Sequence, residues 1–278
     1  MEHGSFVCPL TSTNSNDMDK PTHLRADRLL VERGLFPSRA KAQAAIEAGL
    51  VHAGERQVRK ASEEIAVDAA LRATPAHPYV SRGGLKLAAA LDRFGFDPQG
   101  RVCLDVGAST GGFTQVLLER GAKRVIAVDV GRGQLHASLR TRPEVVSLEE
   151  TDIRSLLPDR LGATPDLIVV DVSFISLKLV LPAALKLTQP PAQLVALIKP
   201  QFEAGRAALK KGVVRDAAVH AAVCDDIAAF VATLGWQVLG VIPSPIEGGD
   251  GNKEFLLGAV LIAAKAAFVT RDFPVQDT

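Results

Sequence analysis

Four charged residues, Lys86, Asp171, Lys199 and Glu254, stand out by their positions in the sequence. Asp171 and Lys199 each end an apolar run typical of a buried strand, which has no structural need to finish on lysine. A lysine amine can orient a weakly acidic hydroxyl and stabilise the alkoxide or take its proton, while carboxylates hold the amine in place. One reaction that this set could perform is methylation of a ribose 2′-hydroxyl. Ordinary surface ion pairs are the alternative, above all for Lys86 and Glu254.

A glycine-rich loop is the second chemical feature. It follows the apolar run 101–105 and contains Gly107, Ala108, Ser109, Thr110, Gly111, Gly112 and Phe113. Glycines at a strand-to-helix turn let the backbone approach a ligand at the carboxyl end of the strand, where doubly wound sheets bind ligands. Ser109 replaces the middle glycine of a dinucleotide fingerprint, and the nucleoside-triphosphate motif is missing. Both of those ligand classes are therefore disfavoured.

Three acids around this loop indicate S-adenosylmethionine instead. Asp105 comes just before the glycines and suits a cationic, amine-bearing ligand. Asp129 ends the next predicted strand, where a carboxylate accepts hydrogen bonds from ribose hydroxyls. Asp152 follows the third strand position, within reach of an adenine. An ordinary cap or turn residue is the alternative for each acid, most seriously for Asp152.

An alternation of apolar runs and helical stretches must position these residues. The predicted strands are 101–105, 124–129, 167–171, 193–198, 236–242 and 254–261, and the predicted helices are 84–94, 112–120, 133–141, 176–187 and 216–234. This alternation is typical of a doubly wound, Rossmann-like α/β sheet. It predicts a catalytic domain over residues 81–265.

A smaller α+β domain is predicted ahead of it, over residues 23–72. Leu24 and Leu29 fit a first helix that ends near Gly34, and Ser38 caps a second helix that Gly49 stops. Short strands then follow near 50–54 and 65–67, so the predicted order is helix, helix, strands. The remaining segments are predicted as a disordered extension (1–22), a proline-containing linker (73–80) and a C-terminal tail (266–278).

Charge and composition narrow the class of protein. The net charge is only +1, but residues 20–101 carry 14 Lys/Arg against 9 Asp/Glu, an excess of +5 that suits a phosphate backbone. Three widely spaced cysteines form neither a disulfide framework nor a metal site. No apolar stretch is long enough for a membrane span and no secretion signal is evident, so the cytoplasm is the expected location.

Residues 23–262 resemble the TlyA family, which is called both haemolysin A and rRNA 2′-O-methyltransferase. The resemblance rests on the stretches 25–35 (RADRLLVERGL), 79–87 (YVSRGGLKL), 105–114 (DVGASTGGFT) and 244–256 (SPIEGGDGNKEFL). It implies an alpha-L-type RNA-binding domain followed by an FtsJ-like, S-adenosylmethionine-dependent methyltransferase domain. It also implies that Lys86, Asp171, Lys199 and Glu254 are the Lys-Asp-Lys-Glu tetrad of that class, acting on cytidine ribose in ribosomal RNA. The first 22 residues depart from the family pattern and leave the start site open.

The resemblance gives the N-terminal basic residues a predicted role in contacting RNA phosphates, with a solvated helix face as the alternative. The predicted RNA-binding residues are Arg25, Arg28, Arg33, Arg39 and Lys41, with Arg82 in the catalytic domain. Phe174, after Asp171, is either a stacking residue for a flipped base or an ordinary core residue.

Three other functions compete with the methyltransferase. A non-enzymatic ribosome-assembly factor would bind RNA without methyl transfer, and the complete tetrad argues against it. A cytolysin would need an apolar span or signal, and an oxidoreductase would need the glycine that Ser109 replaces. The modified nucleotide, the ribosomal subunit and the oligomeric state stay open.

Overall fold

The computed structural model describes residues 22–205, 208–248 and 251–263. Almost all of the predicted extension (1–22) and all of the predicted tail (266–278) lie outside the described residues. The chain divides into two units, with the boundary between Pro78 and Tyr79.

The N-terminal unit packs two helices beside short strands. Its elements are β1 (His23–Arg25), α1 (Ala26–Glu32), α2 (Arg39–Glu47), β2 (Val51–Ala53), β3 (Arg56–Gln57), β4 (Glu64–Ala66) and β5 (Leu71–Ala73). β1 pairs with β4, and β2 lies between β3 and β5. Ser38 caps α2 as predicted, because its hydroxyl accepts a hydrogen bond from the Lys41 N–H. Leu30, Ala45 and Ile65 belong to the buried core of this unit.

The C-terminal unit is built on a seven-stranded sheet. Its strands are β6 (Val102–Val106), β7 (Arg124–Val128), β8 (Val145–Leu148), β9 (Leu167–Val170), β10 (Ala192–Ile198), β11 (Gln237–Pro243) and β12 (Phe255–Leu261). The order is β11-β12-β10-β9-β6-β7-β8. The strands from β10 to β8 are parallel, and β12 runs antiparallel to both of its neighbours. The predicted Rossmann-like α/β class is confirmed.

Helices cover both faces of this sheet. They are α3 (Gly83–Phe94), α4 (Gly112–Glu119), α5 (Ala137–Arg140), α6 (Leu177–Leu185), α7 (Pro200–Glu203) and α8 (Ala217–Thr233). Side chains alternate between faces along each strand, so Cys103 packs in the core with α3 and α4 while Leu104 packs in the core with α6 and α8. All parallel strand ends therefore point to one edge.

Two predicted elements were wrong. Leu24 lies in β1 rather than in the first helix, so a strand opens the N-terminal unit. The helix predicted over 133–141 begins only at Ala137, because the Glu149 carboxylate accepts the N–H groups of residues 133–135. Those three N–H groups are satisfied without a helix.

Candidate active site

A cavity of about 450 Å³ opens at the carboxyl ends of β6, β7 and β9. Its volume falls within the range of small-ligand sites. The lining residues include Gly107, Val128, Asp129, Val130, Gln134, Thr151, Asp152, Ile153, Arg154, Asp171, Val172, Ser173, Phe174 and Ile175. We call this space the strand-end cavity.

Gly107 allows the loop to pass close to the neighbouring strand. Its φ of +84° is a conformation that other residues rarely adopt, and a Cβ there would collide with the backbone carbonyl of Asp171. Ser109 also has a positive φ, and its N–H donates to Asp129 at 2.8 Å. The loop is therefore held by the acid that ends the next strand.

The predicted cofactor residues are placed unequally around this cavity. Gly107, Asp129 and Asp152 line it, whereas Asp105, Ala108, Ser109, Thr110, Gly111, Gly112 and Phe113 are not among its lining residues. Phe113 packs in the core, and Gly112 lies against Ser81. The predictions missed Val130, an apolar residue that lines the cavity and is 72% exposed. Its position directly after Asp129 could have identified it from the sequence.

Asp129 and Asp152 differ in how their carboxylates are engaged. Within the part of the chain that the structure describes, the Asp129 oxygens accept hydrogen bonds from the backbone N–H groups of Ser109 and Gly131, which leaves lone pairs for a ligand. Asp152 caps a 3₁₀ turn and forms a bidentate pair with Arg154, and this pair lowers the Asp152 pKa. Asp152 thus has a local structural role, and Asp129 is the better ligand-binding candidate.

Asp105 is fully buried behind the loop. One carboxylate oxygen accepts a hydrogen bond from Thr114 at 2.6 Å, and the other has no partner among the described residues. Burial raises the pKa of Asp105 to about 7, although the hydrogen bond from Thr114 lowers it. An acid with a raised pKa in the folded state costs stability as the pH rises through the interval between its ordinary value of 3.8 and about 7.

Asp105→Asn should therefore stabilise the protein more at high pH than at low pH. The increase in unfolding free energy caused by Asp105→Asn should be up to about 3 kcal/mol larger at pH 8.5 than at pH 5. About two pH units separate pH 5 from the folded-state pKa of about 7, and over that interval the wild-type protein loses stability that the variant keeps. Urea unfolding at both pH values measures this difference. Asp159→Asn, at an exposed acid, is the matched control. An Asp105→Asn effect that is equal at both pH values would contradict the assignment.

The four residues predicted to form a tetrad lie in two ion pairs around one pocket. The Lys199 amine lies 2.6 Å from the Asp171 carboxylate, and Lys86 pairs with Glu254. Lys86, Lys199 and Glu254 line a cavity of about 430 Å³, which we call the acceptor pocket. Asp171 lines the strand-end cavity instead. The structure thus brings all four residues together, although Lys86 and Glu254 are 168 positions apart in the sequence.

Ser173 and Phe174 line both cavities and mark where the two meet. Phe174 is 90% exposed, so it is not the core residue that the sequence also allowed. It has a φ of +66°, which is strained for a bulky side chain, and its ring lies 5.1 Å from that of Phe202. The loop therefore presents an aromatic face at the junction of the two cavities.

The six predicted RNA-binding residues have varied surroundings. Arg25 and Arg39 pair with the buried Asp27, and the Arg25 guanidinium lowers the pKa of that carboxyl strongly. Arg33 donates to the carbonyls of residues 67 and 69, and Arg28 pairs with Glu32.

Burial lowers the pKa of Lys41, whose amine lies 3.3 Å from the ring of His77. Arg82 lines the acceptor pocket and donates to the Gly248 carbonyl at 3.2 Å.

Another cavity, of about 640 Å³ and thus larger than the strand-end cavity, lies beside α8 and the segment after β11. It includes neither the glycine-rich loop nor a carboxyl end of a parallel strand, and Glu254 is its shared lining residue with the acceptor pocket. Position at the strand ends, rather than size, therefore identifies the candidate active site. No helix within the described residues has both the length and the apolar character to cross a membrane.

A doubly wound sheet with a glycine-rich loop after its central strand and an acid ending the next strand defines a class of nucleotide- and nucleoside-binding enzymes. Residues 79–260 match the model of the FtsJ-like methyltransferase family, and the chain belongs to that family. This membership implies S-adenosylmethionine as the methyl donor.

Relatives agree with this assignment over most of the chain. A protein of Mycobacterium tuberculosis named 16S/23S rRNA (cytidine-2′-O)-methyltransferase TlyA is 45% identical over 236 residues, covering 84% of this chain and 88% of the relative. Hemolysin A of Brachyspira hyodysenteriae is 37% identical and covers 84% and 98%. A solved structure from Streptococcus thermophilus that carries the name hemolysin has a TM-score of 0.70 and 42% identity, and covers 87% and 90%.

Proposed function

We propose that this chain transfers a methyl group from S-adenosylmethionine to the ribose 2′-hydroxyl of cytidine in ribosomal RNA. One observation carries the proposal: Lys199, paired with Asp171, and the Lys86–Glu254 pair line a pocket that adjoins the strand-end cavity at Ser173 and Phe174. Methyl transfer needs donor and acceptor in line across such a junction. The rRNA substrate is carried over from the name of the M. tuberculosis relative.

The strand-end cavity fits S-adenosylmethionine. Asp129 would accept hydrogen bonds from the ribose hydroxyls, and Val130 and Ile153 would contact the adenine. The Asp171 carboxylate, which lines this cavity, would favour a positively charged donor. When bound, S-adenosylmethionine supplies a methyl carbon on a sulfonium, whose C–S bond breaks with the electron pair left on sulfur.

In the acceptor pocket, Lys199 would orient the hydroxyl. Its ammonium has three N–H groups. Ser173 accepts a hydrogen bond from the amine, and the Asp171 carboxylate lies 2.6 Å away as its ion-pair partner, so an N–H would remain for the 2′-oxygen. That donor would stabilise the negative charge on the 2′-oxygen as the hydroxyl proton leaves to solvent. An electron pair of this oxygen would then form the new C–O bond while the C–S bond breaks. The Lys86–Glu254 pair would provide the second polar wall of the pocket.

The N-terminal unit would bind RNA through its basic residues. The side chains of Arg25, Arg28 and Arg39 are 46%, 61% and 57% exposed, so each can reach a phosphate in spite of its acidic partner. Such contacts position an enzyme on RNA without reading its sequence. Arg33 serves the fold through its two carbonyl contacts, so it is the weakest of the proposed RNA ligands.

Phe174→Ala is expected to lower kcat/KM for RNA by about 5- to 100-fold, because an exposed aromatic face can stack on the extruded base. Phe174→Tyr should retain most of the activity, and the dissociation constant for S-adenosylmethionine should stay within about threefold. Leu239→Ala, at another exposed apolar residue, is the control. If Phe174→Ala has wild-type kcat/KM, the stacking role is excluded.

The proposed function is tested by incubating the protein with labelled S-adenosylmethionine and either 30S subunits, 50S subunits or free rRNA from a host that lacks such an enzyme. Label in RNA supports the proposal, and the preferred substrate identifies the subunit. If the protein binds S-adenosylmethionine but labels none of the three, the rRNA assignment is wrong. Binding to ribosomal subunits without label would instead favour the assembly-factor alternative.

A further inference from the structure

Ser173 contacts the amine of Lys199, one of the residues that line the acceptor pocket. The Lys199 Nζ donates a hydrogen bond to the Ser173 hydroxyl at 2.8 Å and lies 2.6 Å from Asp171. Lys199 is largely buried, so few other groups can hold its amine, whereas Ser173 itself is exposed. The contacts with Ser173 and Asp171 together fix the position of the amine. Asp171 alone would leave the amine free to rotate about a single partner.

The backbone around Ser173 is held in place. Ser176 caps α6, and Glu203 in α7 accepts hydrogen bonds from the Ser176 hydroxyl at 2.6 Å and the Leu177 N–H at 2.8 Å. Since α7 directly follows Lys199, these bonds tie the Ser173 loop to the segment that carries Lys199. The positive φ of Phe174 turns the loop one residue after Ser173. The Ser173–Lys199 contact thus joins two segments that the hydrogen bonds of Glu203 already hold together.

We infer that Ser173 is a positioning residue for the methyl transfer proposed above, on which this inference rests. By accepting one N–H of Lys199, its hydroxyl directs another N–H of the amine to the acceptor 2′-oxygen. Ser173 acts through Lys199, so it contributes to the rate of the chemical step rather than to the binding of either substrate. Its place on the shared wall of the two cavities puts this contact beside the reacting atoms.

The test is steady-state kinetics of Ser173→Ala and Ser173→Thr on the rRNA substrate, with calorimetric binding of S-adenosylmethionine. Ser173→Ala should lower kcat by about 10- to 100-fold, the effect of losing a hydrogen bond to a charged group, with KM for RNA and cofactor affinity within about twofold. Ser173→Thr should restore kcat to within about threefold, since its hydroxyl can accept the same bond at an exposed position. Ser138→Ala, at a serine that contacts His136 outside both cavities, is the control.

The possible results distinguish failure of the Ser173 inference from failure of the proposed function. If the wild type methylates RNA and Ser173→Ala matches its kcat, the positioning role is wrong while the proposed function stands. A rise in KM or a loss of cofactor affinity at unchanged kcat would make Ser173 a binding residue and overturn the inference. Failure of threonine to rescue would likewise overturn it, by showing that the hydroxyl is not the effective group. If the wild type itself labels no RNA, the proposed function fails first.

Discussion

Lys199→Ala is expected to lower kcat for methyl transfer by about 100- to 10,000-fold. The substitution removes the amine that orients the hydroxyl and stabilises its developing charge, and it leaves the Asp171 carboxylate without its ion-pair partner. Binding of S-adenosylmethionine should be nearly unchanged, because Lys199 is not among the residues that line the strand-end cavity. Single-turnover methylation and calorimetry separate the two effects.

The control for this prediction is Lys123→Ala. Lys123 is an exposed lysine of the same unit, in the turn between α4 and β7 and outside both cavities. It should retain wild-type kcat. Activity of Lys199→Ala within about tenfold of the wild type would show that the Lys199–Asp171 pair is an ordinary ion pair, the alternative that the sequence left open.

Asp129→Ala is expected to weaken S-adenosylmethionine binding by about 100-fold or more. The loss of the carboxylate removes the proposed acceptor for the ribose hydroxyls and leaves the N–H groups of Ser109 and Gly131 without their partner. The glycine-rich loop then loses the bond that fixes its shape, and hydrogen bonds to a charged group contribute about 1.5–3 kcal/mol each. Isothermal calorimetry measures the dissociation constant directly.

Asp159→Ala serves as the comparison, since Asp159 is exposed, lies in a 3₁₀ turn and is not a lining residue of the strand-end cavity. Its affinity should equal that of the wild type. Thermal unfolding of both variants without ligand shows whether the Asp129 effect exceeds its effect on the fold. Unchanged cofactor affinity in Asp129→Ala would place the ribose elsewhere.

The central sheet could be predicted because its strands are buried on both faces. β9 has four apolar residues and all are buried, so its sequence differs sharply from its surroundings. β8 was not among the predicted strands because it is an edge strand whose four residues are all only partly buried. The short strands β1 and β5 depend on pairing with distant segments, β4 and β2, and a local pattern carries no information about such pairing.

The sequence could predict some residues of the candidate site but not others, as it did with the strands. Asp171 and Lys199 could be selected because a charged residue at the end of an apolar strand is unusual, and the resemblance supplied Lys86 and Glu254 with their roles. Ser173 was missed because its role depends on the turn at Phe174, and a positive φ at a non-glycine residue has no reliable sequence signal. Asp105 was predicted as a ligand-facing acid, but the structure buries it behind the loop.

The most direct measurement is nucleoside mass spectrometry of rRNA treated with the wild-type protein and S-adenosylmethionine, together with alkaline cleavage mapping of the same RNA. We expect 2′-O-methylcytidine as the product and protection from alkaline cleavage at the modified position, both lost with Lys199→Ala. Methylated RNA in which the methyl group is on a base, and in which every position still cleaves in alkali, would contradict it.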